Sequence, residues 1–190
     1  MKAIIISGAP ATGKTHLGRY LAEEMRVPLL ARDTIKETLF DSLGHSDRKW
    51  SVQLGSASYD LLFALAEEFF HSQIPCLVLE ANFSERAGAT LGELARKYGV
   101  ETTQVFCTAS ADCQWKRFQE RALSGERHPG HVDAENLDEA HHRIFSSNPQ
   151  PLALPGLLVE LDTTEISTID YTKVVERIKF GDDSSLECSS

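Results

Sequence analysis

The sequence predicts an α/β fold in which a five-stranded parallel sheet carries helices on both faces. Short apolar runs alternate along the chain with segments whose apolar residues recur every three or four positions, the order strand, helix, strand, helix. Helices between consecutive strands imply parallel pairing and a sheet that is covered on both faces. A length of 190 residues, with no internal repeat and no linker, favours one domain, which we place at 1–180.

Three strands and four helices are predicted in the first half of the chain. Each strand is a short, continuous apolar run, as expected of a buried parallel strand, and each helix has an apolar stripe on one face. Asp33 is the predicted N-cap of a helix that begins at Thr34, and Gly44 ends that helix. In chain order the elements are strand 2–7, a helix with its apolar stripe at Leu17, Leu21 and Met25, strand 28–31, helix 34–44, helix 56–71, strand 76–79 and helix 84–99.

The second half adds two strands, three helices and a segment at about 117–146 that we interpret as a helical lid. Helix 111–123 carries Arg117 and Arg121 on one face, away from its apolar residues. Residues 124–132 contain two glycines, a proline and two histidines without apolar periodicity, which predicts a mobile loop. The remaining elements are strand 102–107, helix 134–146, strand 157–161, helix 169–178 and a disordered tail at 181–190.

Charge and composition exclude several classes of protein. Lys and Arg total 19 and Asp and Glu total 28, a net charge of −9, which argues against a general nucleic-acid coat but allows a local basic pocket. The four cysteines form no C-x-x-C pair, so neither a zinc knuckle nor a disulfide framework is predicted. His128 and His131 lack a third ligand at suitable spacing, and we interpret them as polar lid residues. No apolar run suits a signal peptide or a membrane span, so we expect a cytoplasmic protein without a membrane partner.

One motif carries a specific chemical meaning, because Gly8 to Thr15 matches G-x-x-x-x-G-K-[ST] at every fixed position. The glycines allow backbone N–H groups to converge on phosphate oxygens, and the following helix directs its positive end at the same anion. Lys14 is predicted to reach the β- and γ-phosphates of ATP and to act in catalysis, and the Thr15 hydroxyl to ligate Mg²⁺. The predicted nucleotide-binding residues here are Gly8, Ala9, Pro10, Ala11, Thr12, Gly13, Lys14, Thr15 and His16.

The motif and its strand-to-helix context predict a P-loop NTPase fold, and two classes within that fold are disfavoured. A GTPase needs a base-reading segment of the type N-K-x-D, and the sequence has none. Residues 123–127, L-S-G-E-R, are faintly similar to the signature of ABC ATPases. No Walker B strand is predicted after them and the chain is short, so we interpret this match as coincidence.

Three further segments indicate a kinase. A-R-D-T-I-K-E lies about twenty residues after the motif, at 31–37; L-E-A-N-F follows the third strand, at 79–83; and an arginine-bearing helix and loop occupy 117–131. With these motifs the chain resembles, over about residues 1–180, the small P-loop phosphotransferases. These are the ATPase-like kinases that include the 5′-polynucleotide kinase domain and have gluconate, shikimate and chloramphenicol kinases as relatives.

The resemblance implies a role for each candidate outside the motif. Asp33 matches an aspartate that orients or deprotonates the acceptor hydroxyl, and a plain helix cap is the alternative. Lys36 stands where polynucleotide kinases place an arginine that grips substrate phosphate, a departure that disfavours that substrate. Glu80 replaces an aspartate, and would hold a water on Mg²⁺ or contact substrate. Asn82 would bond substrate, or would only serve the turn.

The resemblance also implies how the lid and the last turn act. Arg121 and Arg127 would neutralise charge on the transferring phosphoryl group, and Arg117 would contact the nucleotide; a solvated, salt-bridged face is the alternative. Residues 162–164 correspond to a segment that contacts adenine through its backbone.

The residues and the resemblance together predict a kinase that transfers the γ-phosphate of ATP, with Mg²⁺, to a hydroxyl of a small molecule or nucleotide. Segment 44–71, with Trp50, Tyr59 and Phe63, is predicted to build the acceptor pocket. Two alternatives stay open: a polynucleotide 5′-hydroxyl kinase, which the net charge disfavours, and a non-catalytic ATP-binding module that switches a partner. Acceptor-stimulated release of ADP would distinguish a kinase from such a module.

Overall fold

The computed structural model of the chain describes residues 1–181, so the tail predicted at 181–190 lies, after its first residue, outside the described residues. The strands are β1 (Lys2–Gly8), β2 (Leu29–Ala31), β3 (Cys76–Glu80), β4 (Glu101–Thr108) and β5 (Leu157–Asp162). They form one parallel sheet in the order β2-β3-β1-β4-β5, which confirms the predicted fold class.

Helices cover both faces of this sheet and also form the lid. The α-helices are α1 (Lys14–Met25), α2 (Arg32–Leu43), α3 (Arg48–His71), α4 (Glu85–Tyr98), α5 (Ala111–Leu123), α6 (Leu137–Ser146) and α7 (Tyr171–Phe180). Short 3₁₀-helices lie at Pro129–His131, Ala134–Asn136 and Ile166–Thr168. Within residues 1–181, none of the helices combines the length and the hydropathy needed to cross a membrane.

Alternate residues of the central strand pack on opposite faces of the sheet, as a period of two requires. Ile4 and Ile6 of β1 join α1 and α7 in one apolar core. Ala3 and Ile5 join α3 and α4 in a second core on the other face. Burial on both faces explains why this strand reads as a continuous apolar run rather than as an alternating one.

The carboxyl ends of the strands form the edge at which the candidate site lies. The chain adds strands first on one side of β1 and then on the other, so a crevice opens above the carboxyl end of β1. Glu80, the last residue of β3, lies beside Ile6, and Gly8 lies beside Cys107 of β4. The topology therefore brings the glycine-rich motif and Glu80 to one place.

The helix α2 begins earlier than its sequence pattern predicts. It starts at Arg32 rather than Thr34, and its N-cap is Ala31, which supplies no side-chain hydrogen bond. The predicted capping role of Asp33 is therefore wrong. Asp33 is the second residue of the helix, and its carboxylate accepts a hydrogen bond from the lid residue Arg127 instead.

The helix α3 also begins earlier, at Arg48 rather than Ser56. Asp47 provides the signal, because its carboxylate accepts a hydrogen bond of 2.8 Å from the Trp50 N–H at the first turn. The extra turns carry Ser51 and place it, buried, against the crevice. Segment 44–71, predicted to build the acceptor pocket, thus consists mainly of one long helix, and one face of that helix lines the pocket.

The lid has more helical structure than predicted. Residues 124–132, predicted as a loop, contain a 3₁₀-helix whose Gly130 and His131 are buried. The helix predicted at 134–146 is divided into a 3₁₀-turn and α6. The lid helices α5 and α6 pack on each other through a small apolar core, centred on Phe118, Ala140 and Ile144. This core is separate from the two cores of the sheet.

Candidate active site

The loop between β1 and α1 adopts a conformation that depends on its glycines. Gly8 has a φ of 137°, and a Cβ atom there would lie 2.1 Å from the carbonyl oxygen of Cys107. Gly13, the N-cap of α1, has a φ of 76° in the left-handed region. Both positions therefore exclude other residues in this conformation, one by collision and one by backbone strain. The two glycines of the motif are explained by the geometry of the loop.

The first turn of α1 leaves its backbone N–H groups unused by any cap. Gly13 offers no side-chain acceptor, and the first turn has no acidic residue. Lys14 curls back into the loop, where its Nζ donates to the Ala9 carbonyl and, at 3.3 Å, to the Thr12 hydroxyl. Burial lowers the pKa of Lys14, against the attraction of nearby carboxylates. The loop therefore joins a helix N-terminus to a buried lysine, which fits a phosphate chain.

Two oxygen ligands lie next to this cradle. The Thr15 hydroxyl donates to Oε2 of Glu80 over 3.1 Å, because β3 ends beside β1. Burial raises the pKa of Glu80, although the Lys14 ammonium opposes the shift. No group of three or more His, Cys, Asp or Glu in residues 1–181 is suited to hold a metal. The pair fits Mg²⁺, which binds proteins through one or two oxygen ligands and takes the remainder from phosphate and water.

Asp33 faces the cleft from the start of α2 and is held by arginines. Arg127 Nη2 donates to its Oδ2 at 3.0 Å, and Arg32 Nη1 lies 3.5 Å from Oδ1. Burial opposes ionisation of this carboxyl, but the charges of Arg127 and Arg32, together with that of His131 when acid protonates its ring, outweigh it and lower the pKa of Asp33 to about 2. Asp33 is therefore a firmly ionised carboxylate at neutral pH.

Two cations lie side by side on the wall formed by α2 and α3. The buried Lys36 ammonium donates to the Ser51 hydroxyl at 3.0 Å, and Arg32 Nη2 donates to the Gly55 carbonyl at 2.9 Å. Burial, helped by the neighbouring Arg32, lowers the pKa of Lys36 to about 8. A Cβ at Gly55 would lie 2.7 Å from Arg32 Nη2, so the glycine leaves room for this guanidinium. This wall holds positive charge in a partly desolvated place.

The three lid arginines take different positions. Arg117 Nη2 donates to the carbonyls of Thr163 and Thr164, at 2.7 and 2.9 Å, and so fixes the turn after β5 to α5. Arg121 lies over the Phe118 ring, and its buried Nε has no hydrogen-bond partner within residues 1–181. Arg127 bonds to carboxylates through its guanidinium. Arg127 is thus salt-bridged, as the alternative predicted, but it does not lie on a solvated face, because its side chain is only 16% exposed.

A single cleft of about 600 Å³ collects most of the predicted residues. Among the described residues, seven lysines and arginines line it against four aspartates and glutamates, although the whole chain has a net charge of −9. The predicted site residues that line it are Pro10, Ala11, Gly13, Lys14, Thr15, His16, Asp33, Lys36, Glu80, Asn82, Arg121 and Arg127.

Some predicted residues lie outside this cleft. Arg117 lies beside the turn at 163–164, and Gly8 and Ala9 border a neighbouring cavity behind the loop. Of the aromatic residues predicted for the acceptor pocket, Tyr59 lines the cleft and donates to the Asn82 carbonyl, at 2.6 Å. Phe63 packs in the core, and Trp50 donates instead to the Gly44 carbonyl.

The sequence reading missed Glu37, His131 and Asp133, which surround Arg127. One signal for Glu37 was present, because it lies four residues after Asp33 and so on the same face of α2. No comparable signal existed for His131, which contacts a residue 94 positions away.

Comparisons with known proteins agree with this geometry. Residues 4–146 match the model of the AAA domain family. A candidate kinase from Chloroflexus aurantiacus j-10-fl, solved at 1.70 Å, is 34% identical; the match covers 94% of this chain and 96% of that one, with a TM-score of 0.83. The search of curated proteins found no match.

Two more distant structures share the fold. A gluconokinase from Sinorhizobium meliloti 1021 is 17% identical, with a TM-score of 0.51 over 92% of this chain and 87% of that one. A shikimate kinase from Bacteroides thetaiotaomicron is 15% identical, with a TM-score of 0.50 over 94% and 96%. The chain therefore belongs to the AAA domain family, and its fold is that of the small P-loop kinases.

Proposed function

We propose that the protein is an ATP-dependent phosphotransferase that moves the γ-phosphate of ATP to a hydroxyl group of a small, anionic acceptor. One observation carries the proposal: the phosphate cradle at Lys14 and the ionised carboxylate of Asp33 open into the same cleft. Phosphoryl transfer needs little covalent chemistry from the protein, but it needs positioning and charge neutralisation. Both requirements have residues to meet them here.

The nucleotide half of the cleft has donors for the terminal phosphates of ATP and oxygen ligands for Mg²⁺. The Lys14 ammonium and the N–H groups at the start of α1, which no side chain caps in residues 1–181, suit the β- and γ-phosphates. Thr15 and Glu80 would hold Mg²⁺, which supplies charge neutralisation when bound. Arg121, whose Nε lacks a partner in the described chain, would meet charge that develops on the transferring group. The turn that Arg117 fixes would contact the adenine.

The acceptor half is built on α2 and α3. Asp33 would accept a hydrogen bond from the acceptor hydroxyl and so point that oxygen at the γ-phosphate. Its low pKa favours orientation over early proton removal, in agreement with a loose transition state. Lys36 and Arg32 favour an acceptor that carries a carboxylate or phosphate besides its hydroxyl. The cleft volume of about 600 Å³ favours a small molecule.

A coupled assay of ADP release, run over hydroxy acids, sugar acids, phosphorylated sugars and neutral sugars, tests the proposal. We expect turnover with an anionic acceptor that requires both ATP and Mg²⁺. Lys14→Ala is the control: it should abolish transfer and weaken ATP binding while the melting temperature shows a folded protein, because Lys14 faces ligand and not the apolar cores.

Two outcomes would contradict the proposal. ATP binding without acceptor-stimulated turnover would indicate a nucleotide-dependent switch module. End-labelling of a 5′-hydroxyl oligonucleotide, with no turnover of small acceptors, would indicate a polynucleotide kinase.

A further inference from the structure

All three guanidinium nitrogens of Arg127 donate hydrogen bonds to carboxylates of the protein. Its Nη2 donates to Asp33 at 3.0 Å, its Nη1 to Glu37 at 3.3 Å and its Nε to Asp133 at 3.1 Å. Asp33 and Glu37 lie one turn apart on α2, whereas Asp133 belongs to the lid. Four of its five N–H groups thus point at protein acceptors, counting the contact with His131, whereas Arg121 keeps an unpartnered Nε in the described chain.

His131 completes this arrangement through both nitrogens of its ring. Its Nδ1 lies 3.1 Å from Arg127 Nη2, and its Nε2 lies 2.9 Å from Oε1 of Glu37. A guanidinium has only donors, so Nδ1 must accept and the ring proton must be on Nε2, where it donates to Glu37. The side chain is 4% exposed, and this burial lowers the pKa of His131 and favours its neutral form.

We propose that Arg127 is a positioning residue that holds and orients Asp33, and that neutral His131, bonded to Glu37, keeps Arg127 in that place. This inference rests on the proposed function, in which Asp33 receives the acceptor hydroxyl. It assigns Arg121 and Arg127 of the lid to different tasks: Arg121 faces the phosphate, and Arg127 faces the carboxylate. The four groups form what we call the Asp33 clamp: Glu37, Arg127, His131 and Asp133.

Kinetics of Arg127→Ala separate this proposal from a direct contact with phosphate. We expect the acceptor kcat/KM to fall about tenfold or more, since misplacement of a reacting group has costs of this size. The KM for ATP, and the slow hydrolysis of ATP without acceptor, should stay within about twofold, because Asp33 takes no part in either. A parallel fall in acceptor-free hydrolysis would place Arg127 on the phosphate and overturn the proposal.

Two substitutions of His131 test its role more finely. His131→Asn places an amide oxygen near the position of Nδ1 and can still accept from Arg127, whereas His131→Gln places its amide near Nε2 and cannot. We therefore expect His131→Asn to keep the acceptor kcat/KM within about threefold and His131→Gln to lose about tenfold. Equal losses in both variants would contradict the role of Nδ1.

The matched control is His128→Gln. His128 lies on the same lid segment and also contacts α2, through Asp41 at 3.1 Å and the Phe40 ring, but within residues 1–181 its side chain has no hydrogen bond to Arg127. It should keep the acceptor kcat/KM within about threefold, because the bond between Arg127 and Asp33 stays although one contact of the lid with α2 is lost. A loss equal to that of His131→Gln would show that any disturbance of the lid has this effect.

Nitrogen NMR of histidine-labelled protein tests the geometry without any activity. At pH 7 the His131 signal, assigned by its loss in His131→Gln, should show a neutral ring with its proton on Nε2. A protonated ring, or a proton on Nδ1, would overturn the clamp. Failure of the proposed function would look different, because the unmodified protein would then release no ADP with any acceptor while this signal stayed as expected.

Discussion

At the scale of one residue, the ionisation state of Asp33 is determined by the charged side chains around it. In the proposed function the carboxylate receives an acceptor hydroxyl, and it is already ion-paired with Arg127 over 3.0 Å. That pair keeps the pKa near 2 in spite of burial, so the carboxylate stays ionised in a partly desolvated cleft. A substrate hydroxyl would therefore meet a fixed acceptor and not one that changes its protonation near neutral pH.

Asp33→Asn should lower both activity and stability. Transfer to the acceptor should fall about a hundredfold, the scale of a positioned acid–base group. A pKa lowered from 3.8 to about 2 corresponds to about 2 kcal/mol of unfolding free energy at pH 7. This contribution is present above the unfolded pKa and is lost as the pH falls from about 4 to 2. Denaturant unfolding at pH 7 and at pH 3 measures it, and an equal difference between the two proteins at both pH values would contradict the assignment.

Lys36 should cause the pH profile of kcat/KM for the acceptor to fall in the alkaline range. Its ammonium loses charge around pH 8 rather than near 10.5, because burial and Arg32 disfavour the charged form. The kcat/KM for an anionic acceptor should therefore fall as the pH rises through about 8 in the free enzyme. Lys36→Arg, which stays charged, should remove that fall even if its rate is lower. A fall that persists in Lys36→Arg would show that another group causes it.

At the scale of elements, the lid is docked on α2 by contact as well as by charge. The 3₁₀-helix at Pro129–His131 brings Gly130 so close to the Phe40 ring that a Cβ there would lie 2.5 Å from it. The His128 ring stacks on the same phenyl group, with centroids 5.1 Å apart. Position 130 therefore needs the smallest residue for packing, not for an unusual φ.

Gly130→Ala should displace the lid segment from α2. We expect a lower melting temperature and a loss of acceptor kcat/KM that matches the direction of the Arg127→Ala effect, because both changes separate Arg127 from Asp33. Adding Phe40→Ala, which removes the three ring atoms nearest that Cβ, should recover part of the acceptor kcat/KM lost in the single variant, even if the melting temperature falls further. If the double variant recovers none of it, the collision with Phe40 is not the cause.

The sequence pattern predicted the elements that bury apolar side chains and missed the segments that bury polar ones. The strands and the cradle followed from continuous apolar runs and from one motif. The first two turns of α3 were not predicted as helix, because the face that lines the cleft carries Ser51 and Gly55 and so shows no apolar stripe. The contacts of Arg127 were not predicted for another reason: Asp33 lies 94 positions away in the sequence, and no local pattern indicates such a pair.

At the scale of the whole molecule, the charge of the cleft is opposite in sign to the net charge of the chain. A chain with a net charge of −9 concentrates lysines and arginines in one cleft. Local positive potential attracts a small anion, while the acidic remainder repels a long polyanion. The same balance explains why a cleft suited to phosphate need not bind nucleic acid.

A 5′-hydroxyl oligonucleotide should accordingly bind weakly and with a shallow dependence on salt. Few phosphates can reach the cleft at once, so the slope of log K against log salt should be no steeper than about −2. Fluorescence anisotropy between low and physiological salt measures this slope. Tight binding with a steep slope, together with end-labelling, would favour the polynucleotide alternative.

The small core of Phe118, Ala140 and Ile144 has a consequence for how the molecule opens. It shares no residue with the two cores of the sheet, so the lid can separate from the body without breaking either of them. Regions of this kind undergo local opening well below the global free energy of unfolding. Amide hydrogens of α6 should then exchange together and faster than those of β1, and Arg127→Ala, which removes the ion pairs between the lid and α2, should speed that exchange further.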